Sequence, residues 1–160
     1  MHKVIAFTAA ALLSLILVQT SVFAQAGGRA FEKKNYSYNE WAKGRFAEVV
    51  TVVNTGKWIF LGGIGPEQEV DGKILYKGDF HGQCMYAWQK IKKLLGMHGA
   101  TFNDIVKTTI YMTDVGQLAE LNRIYAEFFP ESPPAKTGVE VSHLAIGAKI
   151  EIEAIAAAAG

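Results

Sequence analysis

The last strand-like run of the chain, Lys149 to Ala156, alternates strictly. Successive side chains of a strand leave opposite faces, so Lys149, Glu151 and Glu153 point one way and Ile150, Ile152 and Ala154 the other. That is the pattern of a half-buried antiparallel strand, with one sheet face packed and the other open. Two carboxylates and an ammonium on the open face give acid–base chemistry a place to occur. An ordinary surface strand shows the same spacing, and the alternation alone does not choose between them. Upstream, Pro133-Pro134 cannot continue a helix and forces extended backbone before each proline. A short strand over Thr137 to Val141 and a connection marked by Gly147 follow.

The elements before this block require an α+β fold. Phe46 to Val53 and Trp58 to Leu61 read as two strands joined by the Asn54-Thr55-Gly56-Lys57 turn, and are expected to form a hairpin. Gly62-Gly63-Ile64-Gly65-Pro66 then leaves the backbone almost bare of side chains. It lacks the spacing of a nucleotide loop. From Asp79 to about Met97, Cys84, Ala87, Trp88, Ile91, Leu94 and Leu95 recur at helical steps, with Asp79 as N-cap. On that stripe Cys84 reads as a buried, inert thiol. Ile105 to Thr113 alternates as a strand. A second helix, opened by Asp114 and Gln117 as a capping box, runs to Phe129 with Leu118, Leu121, Tyr125 and Phe128 as its core stripe. Asn122 lies beside that stripe, where a partly buried amide needs partners. Two helices on one face of a mostly antiparallel sheet leave the other face free for oligomerisation.

The first 24 residues are a separate object. A basic start (Met1-His2-Lys3), an apolar run from Val4 to Val18 and a small-residue cut after Ala24 predict a signal peptide, and hence a periplasmic or secreted protein. Residues 25–43 are expected to form an arm, irregular or containing a first strand, and 44–160 the domain. Removing 1–24 takes one lysine and no acid, leaving fifteen basic residues against fifteen acidic. A neutral chain argues against nucleic acid or an anionic membrane surface as partner. Cys84 is the only cysteine and the four histidines are scattered, so no disulfide, metal site or cofactor is expected.

The stretch DIVKTTIYMTDVGQLAELNRIYAEFF and the block VEVSHLAIGAKIEIEAIA resemble the RidA/YjgF family of reactive-intermediate (enamine/imine) deaminases. Gln83, Ile91-Lys92 and Gly56-Lys57-Trp58-Ile59 extend the similarity over about Phe46 to Ala158. The resemblance implies a chorismate-mutase-like fold, with a six-stranded sheet and two helices on one side. It also implies homotrimers with sites in clefts between subunits, and hydrolysis of 2-imino or 2-aminoacrylate acids to a 2-keto acid and ammonia. Among the family's site residues, the water-activating glutamate falls on Glu151 and the helix asparagine on Asn122. The carboxylate-clamping arginine is Lys136 here, in Pro134-Ala135-Lys136, and the cysteine two residues on is Gly138. The Ser-Gly pair is Gly62-Gly63. The tyrosine falls on Val49, or on Phe46 with three residues inserted. Serine and tyrosine hydroxyls are therefore both absent.

Two readings follow. In the first, Glu151 is a general base and Lys136 an anion anchor in a modified deaminase, with Gly63, Asn122 and Phe46 lining the substrate cleft; the competing role for Glu151 is an ion pair with Lys149 or Lys136. A guanidinium fork holds a carboxylate through two parallel hydrogen bonds where an ammonium offers one point charge, a loss of about 2–4 kcal/mol in binding. In the second, the exported trimer binds a small molecule or protein without catalysis, in a cleft walled by Phe46 and Trp58. Whether Lys136 and Glu151 face one cavity separates them.

Overall fold

Element order is β1 (Glu32–Tyr36), β2 (Val49–Val53), β3 (Lys57–Ile64), α1 (Phe80–Met97), β4 (Ile105–Met112), α2 (Leu118–Phe128), β5 (Ala135–Glu140) and β6 (Ile150–Ala158). This is a computed structural model that describes residues 30–160; the signal peptide expected over 1–24 and the first residues of the arm lie outside the described residues. The six strands and two helices of the expected α+β, chorismate-mutase-like fold are present, with the strands divided between a β1-β2 ribbon and a four-stranded sheet ordered β3-β6-β4-β5. Pairing is antiparallel except between β4 and β5.

The alternation of β6 is realised as read. Ile150, Ile152, Ala154 and Ala156 are buried, while Glu151, Glu153 and Ile155 are half-buried on the open face. In β4, Thr108, Ile110 and Met112 pack inward and Lys107, Thr109 and Tyr111 outward. Against the packed face α1 lays Cys84, Ala87, Trp88, Ile91 and Leu95. Trp88 is the hub, with its ring 5.5 to 5.9 Å from those of Phe102, Tyr125, Phe128 and Phe129. Burial pushes the Cys84 thiol up to about 12, so it stays protonated and inert at neutral pH. In α2 the buried positions are Leu121, Ile124 and Tyr125; Leu118, expected in the core, is exposed. The helix is preceded by a 3-10 turn in which the Asp114 carboxylate accepts from Gly116 N at 2.8 Å.

The expected β2–β3 hairpin does not form. β2 pairs with β1, from Glu32↔Val53 to Tyr36↔Val49, so the arm supplies a strand. β3 pairs with β6 from its first residue, Lys57↔Ala158, and Gly56 N already donates to Ala158 O at 3.0 Å. Asn54, at φ 54°, turns the chain off the ribbon and onto the sheet instead of folding it back. The glycines also differ from expectation: Gly62 and Gly63 do not end β3 but lie inside it, at a bulge between Leu61 and Ile64.

Candidate active site

Five sequence-predicted site residues fall into two groups, and the sheet separates them. Thr108 of β4 is in register with Lys136 on one side and Ala154 on the other; Tyr111 is in register with Val139 and Glu151. Positions 108 and 111 leave a strand on opposite faces. Lys136 therefore shares the helix-covered face, and Glu151 stands on the open one. A single subunit does not bring Lys136 and Glu151 into one cavity.

The first group is Lys136, Asn122 and Phe46. The Lys136 ammonium donates to Asn122 Oδ1 at 2.8 Å and lies 4.4 Å from the Tyr125 ring centre and 5.8 Å from that of Phe46. Asn122 is exposed, not partly buried as expected, and Lys136 is its partner. These side chains, with Trp41, Arg45, Leu118, Leu121 and Gly138, line a cavity of about 210 Å³. Two hydrogen bonds fix its outer wall: Ala47 N donates to Pro134 O at 3.0 Å and the Asn35 side-chain Nδ2 to Pro133 O at 2.8 Å, tying the ribbon to the proline turn before Lys136. Glu48 accepts from the amides of Tyr38 and Asn39, at 2.6 and 3.1 Å, which shapes the turn that carries Trp41 and Arg45. Burial, and then the Arg45 charge, bring the Lys136 ammonium down to about 8.

The second group is Glu151 and Gly63. Glu151 is half-buried and forms neither of the ion pairs weighed for it, with Lys149 or Lys136; no hydrogen bond to its carboxylate occurs among the described residues. Burial raises its pKa, and the nearby Glu67 and Glu153 carboxylates add to the rise. A Cβ at Gly63 would sit 2.4 Å from Glu151 Oε1, so the absence of a side chain there is what lets the carboxylate lie against β3. Glu67 is held by Lys90, whose ammonium donates to Gly65 O at 3.0 Å, Glu67 O at 2.8 Å and Glu67 Oε2 at 3.2 Å. Tyr111 donates to Glu153 Oε2 at 3.1 Å. Upstream of Glu151, the buried amide of Gln83 accepts from Lys149 N at 2.8 Å and donates to Tyr76 O at 3.1 Å, anchoring the start of β6.

Trp58, expected to wall the same cleft as Phe46, is not in the Lys136 cavity; it stands beside Phe60 on β3, 47% exposed against 73% for Phe60. A larger open groove of about 770 Å³ between β1 and the Asn103 and Glu131 loops contains none of the candidate residues. Sequence reading missed Arg45, Trp41 and Tyr125 on the cation side, and Glu67 and Lys90 on the acid side. The interleaved aromatic and basic residues of Trp41-Ala42-Lys43-Gly44-Arg45-Phe46 were the available signal for the first two.

A family model described as endoribonuclease L-PSP matches residues 42–158. The chain belongs to that family, the YjgF/RidA group. It is 40% identical over 104 residues to a RutC family protein of Pyrococcus horikoshii, covering 65% of this chain and 82% of the relative. Reactive Intermediate Deaminase A of Arabidopsis thaliana is 30% identical over 124 residues, 78% of this chain and 66% of that protein. Among solved structures, Escherichia coli TdcF with bound serine superposes with a TM-score of 0.58 at 30% identity, over 64% of this chain and 81% of TdcF. These likenesses agree with the family resemblance and with a small-molecule site in YjgF/RidA proteins.

Proposed function

We propose that this YjgF/RidA protein hydrolyses the C=N bond of a small imino acid, releasing ammonia, in a homotrimer whose clefts each combine the cation side of one copy with Glu151 of the next. The observation that carries this reading is Glu151: a half-buried carboxylate with a raised pKa, held against a glycine and in no ion pair among the described residues. Such a group is a general base whose neutral form is also accessible. Glu151 takes a proton from water as the water oxygen bonds to the imine carbon and the π pair moves to nitrogen, which receives the proton back. The resulting carbinolamine loses its hydroxyl proton to Glu151, nitrogen is protonated again, and the C–N bond breaks to give a carbonyl and ammonia. Lys136 and Asn122 hold the substrate's carboxylate end. Because Lys136 and Glu151 lie on opposite faces of one sheet, two copies are needed for one cleft.

The test is complementation between variants, following keto-acid release from enzymatically generated imino acids. Glu151→Ala and Lys136→Gln should each abolish turnover. Unfolded and refolded together at equal amounts, they should regain activity, because about a quarter of the clefts (one half times one half) then hold both intact sides. No regain would overturn the shared cleft. No turnover by the native protein would sink the deaminase reading in favour of a non-catalytic trimer binding a small molecule or protein, which the missing serine hydroxyl at Gly62 and the missing tyrosine hydroxyl at Val49 or Phe46 favour. Export belongs to the same proposal and rests on residues 1–24 alone: a native N-terminus at Gln25 in the periplasmic or secreted fraction supports it, and an intact Met1 overturns it.

A further inference from the structure

The family's guanidinium is missing from position 136, but an arginine lines the same cavity. Arg45, from the turn before β2, lines the 210 Å³ space together with Lys136. Its guanidinium carbon lies 5.7 Å from the ring centre of Trp41, which in turn meets Phe46 edge-on at 5.3 Å. The two cations are close enough for the Arg45 charge to be felt at Lys136. Neither has a counter-ion: no carboxylate lies within ion-pair distance of Arg45 or Lys136 among the described residues, and residues 1–29 contain no acid at all. The Glu48 carboxylate caps Tyr38 and Asn39, and the Asn122 oxygen accepts from Lys136.

The Arg45 charge repels the Lys136 ammonium, and burial strips that ammonium of part of its hydration. An anion between them reverses both penalties. We propose that Arg45 and Lys136 form a two-cation clamp for the carboxylate of a small acid, with Arg45 supplying the planar fork that position 136 lacks and Phe46, Leu118 and Leu121 receiving the acid's apolar side chain. The ligand class is a short 2-oxo or 2-imino acid bearing an aliphatic group, sized to a cavity below the roughly 300–1,000 Å³ of drug-sized sites. The clamp rests on the reading of this cleft as the substrate side of the site, yet it needs no turnover to be tested. Arginine is the better of the two cations for the task, because its five donors meet both carboxylate oxygens while its charge stays fixed across the physiological range.

The experiment is titration of the full chain with 2-oxobutyrate and with its neutral methyl ester, by calorimetry and by shifts of Leu118 and Leu121 methyl signals, beside the turnover assay. The acid should bind at least tenfold more tightly than the ester, and added salt should weaken it. Arg45→Gln and Arg45→Lys, which both lose the planar fork, should each weaken acid binding about thirtyfold or more, and Lys136→Gln about tenfold. Arg45 is exposed, so its variants should melt with the native protein. Acid binding that Arg45→Gln leaves unchanged while Lys136→Gln weakens it would overturn the clamp and spare the cleft. Equal binding of acid and ester would also overturn it. Glu151-dependent turnover without measurable acid binding would refute the clamp but not the deaminase; absence of both would sink the two together.

Discussion

Replacing Gly63 by alanine tests the acid side of the cleft with a single methyl group. The new Cβ would lie 2.4 Å from Glu151 Oε1, 2.5 Å from Cδ and 3.0 Å from Cγ. Ordinary contact begins at 3.4 Å, so the carboxylate oxygen must retreat by at least 1.0 Å, the difference between 3.4 and 2.4 Å. A half-buried side chain on an open face can make that move by leaving its preferred rotamer, at about 0.5–1.5 kcal/mol. Alanine in place of glycine recovers about 0.5–1 kcal/mol through the unfolded chain. The two nearly cancel, so Gly63→Ala should melt within a few degrees of native. Catalysis has no such offset: a base displaced by 1 Å loses about 10²-fold, or about 2.7 kcal/mol in kcat/KM. Gly62→Ala is the built-in control, since nothing lies within 4 Å of a Cβ there. The assay is keto-acid release from generated imino acids, with melting curves for both variants. Equal kcat/KM in Gly63→Ala and Gly62→Ala would refute the claim that the position of Glu151 sets the rate. A collapse of stability in Gly63→Ala would mean that the glycine serves the β3 bulge and not the carboxylate.

The same free space at Gly62 admits the hydroxyl that the family resemblance implies there, so Gly62→Ser should raise kcat/KM about tenfold without a change in melting temperature; no gain would show that the hydroxyl has lost its target. Gln83→Leu removes the partner of the part-buried Lys149 N, while Tyr76 O keeps the bond from Asp79 N at 2.9 Å, and should cost about 1–3 kcal/mol by denaturant titration; a cost under about 0.5 kcal/mol would deny Gln83 its anchoring role at β6. The pH profile of kcat/KM should be a bell. Its acid limb falls as Glu151 protonates, above the ordinary 4.5, and its alkaline limb falls near 8 as Lys136 loses its charge; Arg45, Asn122 and Tyr125 are the groups facing that ammonium, and Arg45 keeps the limb from reaching zero. Stability runs the other way. Between about 8 and 10.5 the unfolded chain holds a proton that folded Lys136 has released, so stability rises with pH there, and Lys136→Gln should flatten the rise in melts taken across that range.

Local periodicity carried the elements, and long-range pairing set what it could not reach. The faces of β4 and β6 and the buried stripe of α1 were legible because one residue's neighbours at two or four positions decide its side. Whether β2 pairs with β1 or β3 was not legible. Both choices satisfy the same valine-rich run, and the decision lies in the contact of Gly56 with Ala158, about a hundred residues away. Arg45 escaped for a similar reason, since its turn is brought beside β5 by contacts far apart in sequence, from Ala47 N to Pro134 O and from Asn35 Nδ2 to Pro133 O.

The separation of Lys136 from Glu151 was the most consequential feature hidden in the sequence. Each residue's parity along its own strand could be read, but the relation between them passes through the register of β4 with both neighbours. Once that register is known, the electrostatics of the halves fall into place. One face presents two cations without a counter-ion, and the other a carboxylate raised by burial and by two further acids. Each half is unfavourable alone and complementary to the other in sign. In the proposed shared cleft, a small acid on the cation side would shield that charge while presenting its carbon to a carboxylate from a neighbouring copy, so that binding substrate and completing the cleft would relieve the same two penalties.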